Sequence, residues 1–403
     1  MAPWLPDISQ MNVLATSDGI GLRVLRNPLL LATTIAVVVR LAFFLGAIAW
    51  PIPNEALFPV SPLNLQGYAD FDFYLKSLEQ YRSLTPLELL KKFIAFYQRP
   101  FQEQFGHIIA GPVFPSLLHI FDYRAGNTLP MATAYLALGC LWSVLWLRFL
   151  WARGIGAGWL LLFAVAPNPI WFSLVISPDI VFAVLVGLFV IFYFSVERRS
   201  IHTAAWLSIL VLILLTRPNG YSVLIFVIID LAWRNIRVQR DGKWIVMTVS
   251  LLILVFGLYL YPYFITEMRK TLVDHLFFGI RVTEYSAGLF PDLPTLIDKA
   301  TSLSLLVGAK VLYLVGLRPS YGETSDLLVI FRALPGLILL PGLFYVFIRG
   351  SVSERLFILM FIFPIMLGPS QDRYNLPIYP LLYYYGALFF AGVSGRLNRK
   401  RSL

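Results

Sequence analysis

A single cysteine, Cys140, leaves this chain no intrachain disulfide and no cysteine-ligated metal site. It lies inside an apolar run, where packing is its simplest role, and it leaves the redox compartment open. Histidine is almost as scarce, with four in 403 residues, and none stands at a spacing to carboxylates that would build a zinc site. Gly-x-Ser-x-Gly and Gly-rich phosphate loops are both missing, which removes the serine-hydrolase elbow and the nucleotide P-loop. Charge is thin: Asp, Glu, Lys and Arg make up 13% of the chain, where a soluble domain carries about 25%. There is no low-complexity tract and no repeat of about 20–50 residues, and no appended soluble domain is expected. No basic patch interleaved with aromatics stands out, so nucleic acid is not an expected partner. Residues 1–27 are too polar for the apolar core of a leader, and no cleaved signal is expected.

Hydrophobic residues fill the chain instead, at 58% of the total with a mean hydropathy of +0.75. That composition predicts an all-α, polytopic bundle of transmembrane helices forming a single integral membrane domain. Apolar runs fall at 28–50, 128–152, 157–174, 178–195, 202–216, 219–233, 243–263, 327–348, 354–368 and 374–394, about ten spans in all. The expected organisation is a first span (28–50), a long exoplasmic loop (51–127), spans two to seven (128–263), a second exoplasmic loop (264–326), spans eight to ten (327–394) and a basic tail (395–403). Arg23 and Arg26, Arg148 and Arg153, Arg198 and Arg199, 234–243, 349–355 and 396–401 then all face the cytoplasm, as do both termini. The excess of 32 Lys+Arg over 22 Asp+Glu suits an anionic membrane face. One segment resists this scheme. Thr301 to Gly316 is apolar enough to enter the membrane, but a crossing there would turn 349–355 and the tail outward; it is expected to be re-entrant or packed against the bundle. Arg40 also stands out, because a charge well inside a span is costly unless it faces protein, water or a partner.

The stretch Gly67-Tyr68-Ala69-Asp70-Phe71-Asp72-Phe73-Tyr74 places two carboxylates directly after the first span. An Asp-x-Asp at a helix mouth can cap free backbone N–H groups. It can also be catalytic, with one carboxylate taking a proton from an acceptor hydroxyl while the other positions it or holds a divalent cation. Beyond it, Phe71 to Tyr97 carries a helical apolar period interrupted at Thr85-Pro86, which fits two interfacial helices on the membrane surface.

Other polar positions gather on the same exoplasmic face: His107 with Gly111 to Pro115, Ser177-Pro178-Asp179, Thr216-Arg217-Pro218-Asn219-Gly220, and Asp372-Arg373-Tyr374-Asn375-Leu376-Pro377. Asp179 reads equally well as an acid opening a helix and as an acceptor or secondary site residue, the role also open to His107. Arg217 is either an interfacial snorkeller or a phosphate ligand, and Arg373, flanked by Asp372 and Tyr374, favours phosphate over a structural ion pair.

A first span, an acidic luminal loop with interfacial helices, and a bundle whose last luminal loop reads Arg-Tyr-x-x-Pro at 373–377 together resemble the GT-C superfamily of membrane glycosyltransferases. Within it, Tyr68 to Phe73 is similar to the Asp-x-Asp motif of the GPI mannosyltransferases that add the first mannose, although the segment after Asp72 departs from their pattern. The resemblance implies inverting transfer of mannose or another hexose or pentose from a polyprenyl-phosphate donor, with Asp70 or Asp72 as general base. Arg373, Arg217 and Tyr374 would bind the donor phosphate, and the acceptor would be a hydroxyl of a glycan or a lipid-linked sugar. The resemblance points to no particular cofactor, and Asp70 and Asp72 could hold a divalent metal; the membrane would be a bacterial inner membrane or the endoplasmic reticulum.

The chemistry is coherent without the resemblance. A lipid phosphate brings its own leaving group, whose growing charge arginines at the membrane edge can stabilise. Tyr379, Tyr383, Tyr384 and Tyr385 are candidates for a prenyl groove, with an aromatic belt as the competing role. Two other functions compete. A transporter or flippase of a lipid-linked or anionic solute would use Arg40 and helices broken at Pro167-Asn168-Pro169 and Arg217-Pro218. An O-antigen ligase or polymerase would share the lipid donor but rely on large luminal loops.

Overall fold

The computed structural model describes residues 27–49, 79, 84–85, 87–88, 91, 113–123, 128–172, 175–194, 200–217, 220–239, 308, 310–317, 333–367 and 372–401. Among these, every regular element is helical. The helices are α1 (Pro28–Ala49), α2 (Val113–Ile120), α3 (Leu129–Ala152), α4 (Ala157–Ala164), α5 (Pro167–Phe172), α6 (Pro178–Tyr193), α7 (Ser200–Thr216), α8 (Gly220–Gln239), α9 (Gly336–Arg349), α10 (Val352–Leu367) and α11 (Tyr379–Arg401), with a 3-10 turn at Asp372–Asn375.

The helix boundaries follow local chemistry. Asn27 caps α1 through its side-chain oxygen, which accepts from Leu29 N at 3.1 Å and Leu30 N at 3.3 Å. The interruption at Thr85-Pro86 is a capping box: Glu88 accepts from the Thr85 backbone N–H and hydroxyl, and the Glu88 N–H donates back to Thr85 Oγ1. The run at 157–174 is divided. Pro167 has no N–H to continue the ladder, so α4 ends at Ala164 and α5 restarts at Pro167. The last helix begins at Tyr379, later than the apolar run suggests, because the 3-10 turn and Pro377 occupy the intervening residues.

Two helices, α1 and α3, are long and apolar enough to cross a membrane. The count of about ten is not reached among the described residues. Proline splits α4 from α5, α6 and α9 are 16 and 14 residues long, and the far ends of α8 and α11 turn basic.

Helix α3 packs against α1 and α6, α6 against α7, and α8 against α7 and α10, while α9 pairs with α11. That last crossing is close because Gly342 and Gly386 carry no Cβ; a methyl on either would run into the backbone of the facing helix. Aromatic rings fill the centre, with Trp142 stacked on Phe163 at 5.6 Å and Phe163 meeting Tyr379 and Tyr383. The candidate groove tyrosines Tyr379, Tyr383 and Tyr385 are buried in this packing. Tyr383 donates to Trp159 O and Tyr385 to Glu354, which makes them core residues. Residues 310–314 are helical, and Lys310, Tyr313, Leu314 and Val315 are buried, so this part of 301–316 is packed into the bundle.

Candidate functional site

At one end of the bundle three separate chain segments converge. Helix α7 finishes at Thr216, whose hydroxyl donates back to Leu212 O at 2.6 Å. The chain then reverses, with Gly220 N donating to Arg217 O at 2.9 Å. A Cβ on Gly220 would lie 2.8 Å from Ile213 O, so the turn that sets Arg217 at the helix end accepts only glycine there. A cation at this position also complements the negative end of the α7 dipole.

Helix α6 starts beside it. Ser177 is extended and its hydroxyl accepts from Asp179 N at 3.4 Å, with Pro178 in the first turn. Tyr135, six residues into α3, donates to Ser177 O at 2.8 Å and ties this start to the bundle about 9 Å below the top of α3. Asp179 Oδ1 then meets Arg217 Nη1 in an ion pair whose side chains are 3% and 9% exposed. At that burial the mutual attraction is only weakly screened by solvent. The Arg217 guanidinium also lies 5.4 Å from the centre of the Tyr374 ring.

Tyr374 comes from the 3-10 turn that precedes α11. The turn is held from two directions: Asn375 donates to Leu314 O at 2.6 Å, and Ile378 N donates to Asn375 O at 2.9 Å. Helix α5 packs on the same turn. Lys310 lies one turn before Leu314 in the 310–314 helix and is 4% exposed. A second buried cation is therefore carried on the element that anchors the Tyr374 turn.

Of the residues singled out from the sequence, Asp179, Arg217 and Tyr374 come together. Asp179 is the first-turn acid of its helix, as one of its two readings had it, and is also the partner of Arg217, a pairing that neither reading named. Arg373 belongs to the 3-10 turn, but its side chain lies outside the described residues, as do Asp70, Asp72 and His107. No group of three or more His, Cys, Asp or Glu that could hold a metal occurs among the described residues. His119 is exposed at the end of α2. Tyr123, just beyond it, is buried, and burial pushes its phenol up to about 12. Lys310, Asn375 and Tyr135 were not singled out as site residues from the sequence. Lys310 carried a usable signal, a lone cation in an apolar stretch like Arg40; a tyrosine or asparagine that holds a backbone carbonyl carries none.

The assembly can present an oriented guanidinium, fixed by a carboxylate on one side and an aromatic face on the other, at the mouth of helices whose interior is apolar. Such a cation suits an oxyanion attached to a hydrophobic tail. No protein-family profile, curated protein or solved structure matches this chain.

Proposed function

We propose that the chain is an inverting glycosyltransferase that moves a sugar from a polyprenyl-phosphate donor to a hydroxyl acceptor at the exoplasmic face of a multi-pass membrane bundle. The observation that carries this reading is the convergence of Asp179, Arg217 and Tyr374 from the start of α6, the end of α7 and the turn before α11. Arg217 has the role of stabilising the charge that grows on the leaving phosphate, and Arg373, which precedes Tyr374 in sequence, is assigned to the same phosphate. Asp179 positions Arg217. Because that carboxylate is already committed to a guanidinium, the acceptor proton is assigned to Asp70 or Asp72, whose loop follows the first span.

The reaction needs one base and one charge stabiliser. The acceptor oxygen attacks the anomeric carbon, the bond to the phosphate oxygen breaks with its electrons, and the proton passes to the carboxylate. Replacing Arg217 tests the assignment. Arg217→Ala is expected to weaken donor use more than Arg217→Lys, since lysine restores the charge but not the planar fork. Equal donor affinity and turnover in both variants and the wild type would remove Arg217 from the site.

A second reading is favoured by one observation, the break between α4 and α5 with a buried arginine, Arg40, beside it. Discontinuous helices with a charge inside the bundle are a transporter feature. Accumulation of a lipid-linked or anionic solute by proteoliposomes, without sugar transfer, would select it.

A further inference from the structure

The short helix at 310–314 ends inside the protein, and its last carbonyls find their donors one by one. Gly316 takes a left-handed φ of 86°, Leu317 N donates to Leu312 O at 2.8 Å, and Gly316 N donates to Tyr313 O at 3.1 Å. This is the pairing that closes a helix on a glycine. Its two bonds end on Leu312 and Tyr313 and do not serve the next carbonyl, that of Leu314. Leu314 is wholly buried, so water cannot serve it either. Asn375, 61 residues further along the chain and equally buried, supplies the donor: its Nδ2 lies 2.6 Å from Leu314 O. The other end of that amide, Oδ1, has no partner among the described residues, so the side chain is turned to this one carbonyl. Gly336, the first residue of α9, packs on the same helix end, where a Cβ would lie 2.7 Å from Val315 O.

The bond fixes more than the helix. Asn375 is the last residue of the 3-10 turn, its own carbonyl accepts from Ile378 N at 2.9 Å, and Tyr374 directly before it sets its ring 5.4 Å from the Arg217 guanidinium. With Asn375 anchored on Leu314 and Ile378 leading into α11, the backbone of the turn decides where that ring stands. We infer that Asn375 is a positioning residue of the donor site: its amide caps the 310–314 helix and thereby holds the turn that sets Tyr374 against Arg217. The inference rests on the reading of Arg217 and Tyr374 as phosphate-binding residues. Because its polar end is turned to Leu314, Asn375 acts through its neighbour and not on the donor itself. The described part of 301–316, a segment whose crossing would upset the charge scheme, becomes the seat of the turn before α11.

Asn375→Leu keeps the branched shape of the side chain and removes the donor, leaving the Leu314 carbonyl buried without a partner. Two readouts on the purified full-length chain in detergent separate the tether from the donor site. The first is the rate at which a polar maleimide labels Tyr374→Cys in a Cys140→Ala background; adding Asn375→Leu should raise it by about tenfold as the turn leaves its seat. The second is steady-state transfer, with Tyr374 intact, from whichever member of a polyprenyl-phosphate sugar panel the wild type consumes. Donor KM should rise by about tenfold in Asn375→Leu while kcat changes by less than about twofold. A purely structural loss would instead lower the active fraction, and so the apparent kcat, with KM unchanged. If Asn375→Leu fails to fold, Gly316→Ala, which strains the left-handed end of the same helix, carries the same comparison. The role is overturned if labelling at position 374 is unchanged in the folded variants, or if labelling rises while donor KM stays at the wild-type value. A wild type that transfers no sugar, with labelling still raised by Asn375→Leu, overturns the donor-site reading and the role with it, while the tether itself stands.

Discussion

The bundle holds buried ion pairs at both ends, and the two ends are built differently. At the end where α10 begins, Asp230 on α8 accepts from Tyr193 at 2.7 Å and from Ser353 at 2.5 Å while pairing with Arg234 at 2.7 Å. Next to it, Glu354 accepts from Ser351 and Tyr385 and pairs with Arg153 at 2.6 Å. Each carboxylate there is enclosed by hydroxyls as well as a cation, although Arg153 and Glu354 themselves stand at the end of α3 and the start of α10. At the opposite end Asp179 and Arg217 sit on a helix start and a turn, with an aromatic ring as the third member. A cage of hydroxyls completes the coordination of a carboxylate and leaves it nothing to do but hold helices together. Arg153 also lies over aromatic rings, at 4.3 Å from Phe149 and 4.8 Å from Tyr384, so the difference at the Asp179–Arg217 end is the smaller number of hydroxyls around the carboxylate and not the aromatic face. The first arrangement holds helices together, and the second is the one proposed to bind the donor phosphate.

Mutations that exchange the behaviour of the two ends would break this distinction. The largest effect on stability is expected at the first of these ends: Glu354→Ala leaves Arg153 buried without its carboxylate and should cost about 3–5 kcal/mol. Chemical denaturation measures this, and any folded fraction should transfer sugar at the wild-type rate. Arg217→Ala leaves Asp179 buried without its cation and should itself cost about 3 kcal/mol, but unlike Glu354→Ala it should also lower kcat/KM for donor by about 10²–10³ in the folded fraction. Next comes the first-loop base. Asp70→Asn should reduce single-turnover transfer by about 100-fold with donor still bound. Asp72→Asn should match it if Asp72 is the base and be milder if it only orients Asp70. Wild-type rates in both would move catalysis out of the first loop. The smallest effect belongs to the turn beneath Arg217: Gly220→Ala forces a methyl against Ile213 O and should cost about 1–3 kcal/mol. Its donor KM should rise along with the loss of stability, since the same turn sets the arginine.

Much of this difference can be read in the sequence, and the unread part has a physical reason. Ser177-Pro178-Asp179 announces a helix start, and Arg217-Pro218-Asn219-Gly220 announces a stop and a turn, because capping oxygens, proline and glycine act on their immediate neighbours. That these two would meet Tyr374 is suggested by their sharing one expected face. The pairing itself depends on how α6 and α7 pack, which no local rule encodes. The split of 157–174 was foreshadowed by Pro167-Asn168-Pro169. Asp230 and Glu354 gave little notice, since an acid near a basic helix end looks like an ordinary solvated pair until Tyr193, Ser353 and Tyr385 are seen to enclose it. The tyrosines after Pro377 misled in the other direction. Their run suggested a groove between helices or an aromatic belt, but Tyr379 and Tyr383 are buried against Trp142, Phe163 and Trp159 in the core.

The most direct test of sugar transfer at the Asp179–Arg217 end is to incubate the purified chain, and its Arg217→Ala variant, with a panel of polyprenyl-phosphate sugars and a mixed hydroxyl acceptor. Consumption of one donor by the wild type, with inverted anomeric configuration in the product and little consumption by Arg217→Ala, is the expected result. Donors left intact by a folded wild-type protein, or consumed equally by both proteins, would contradict it.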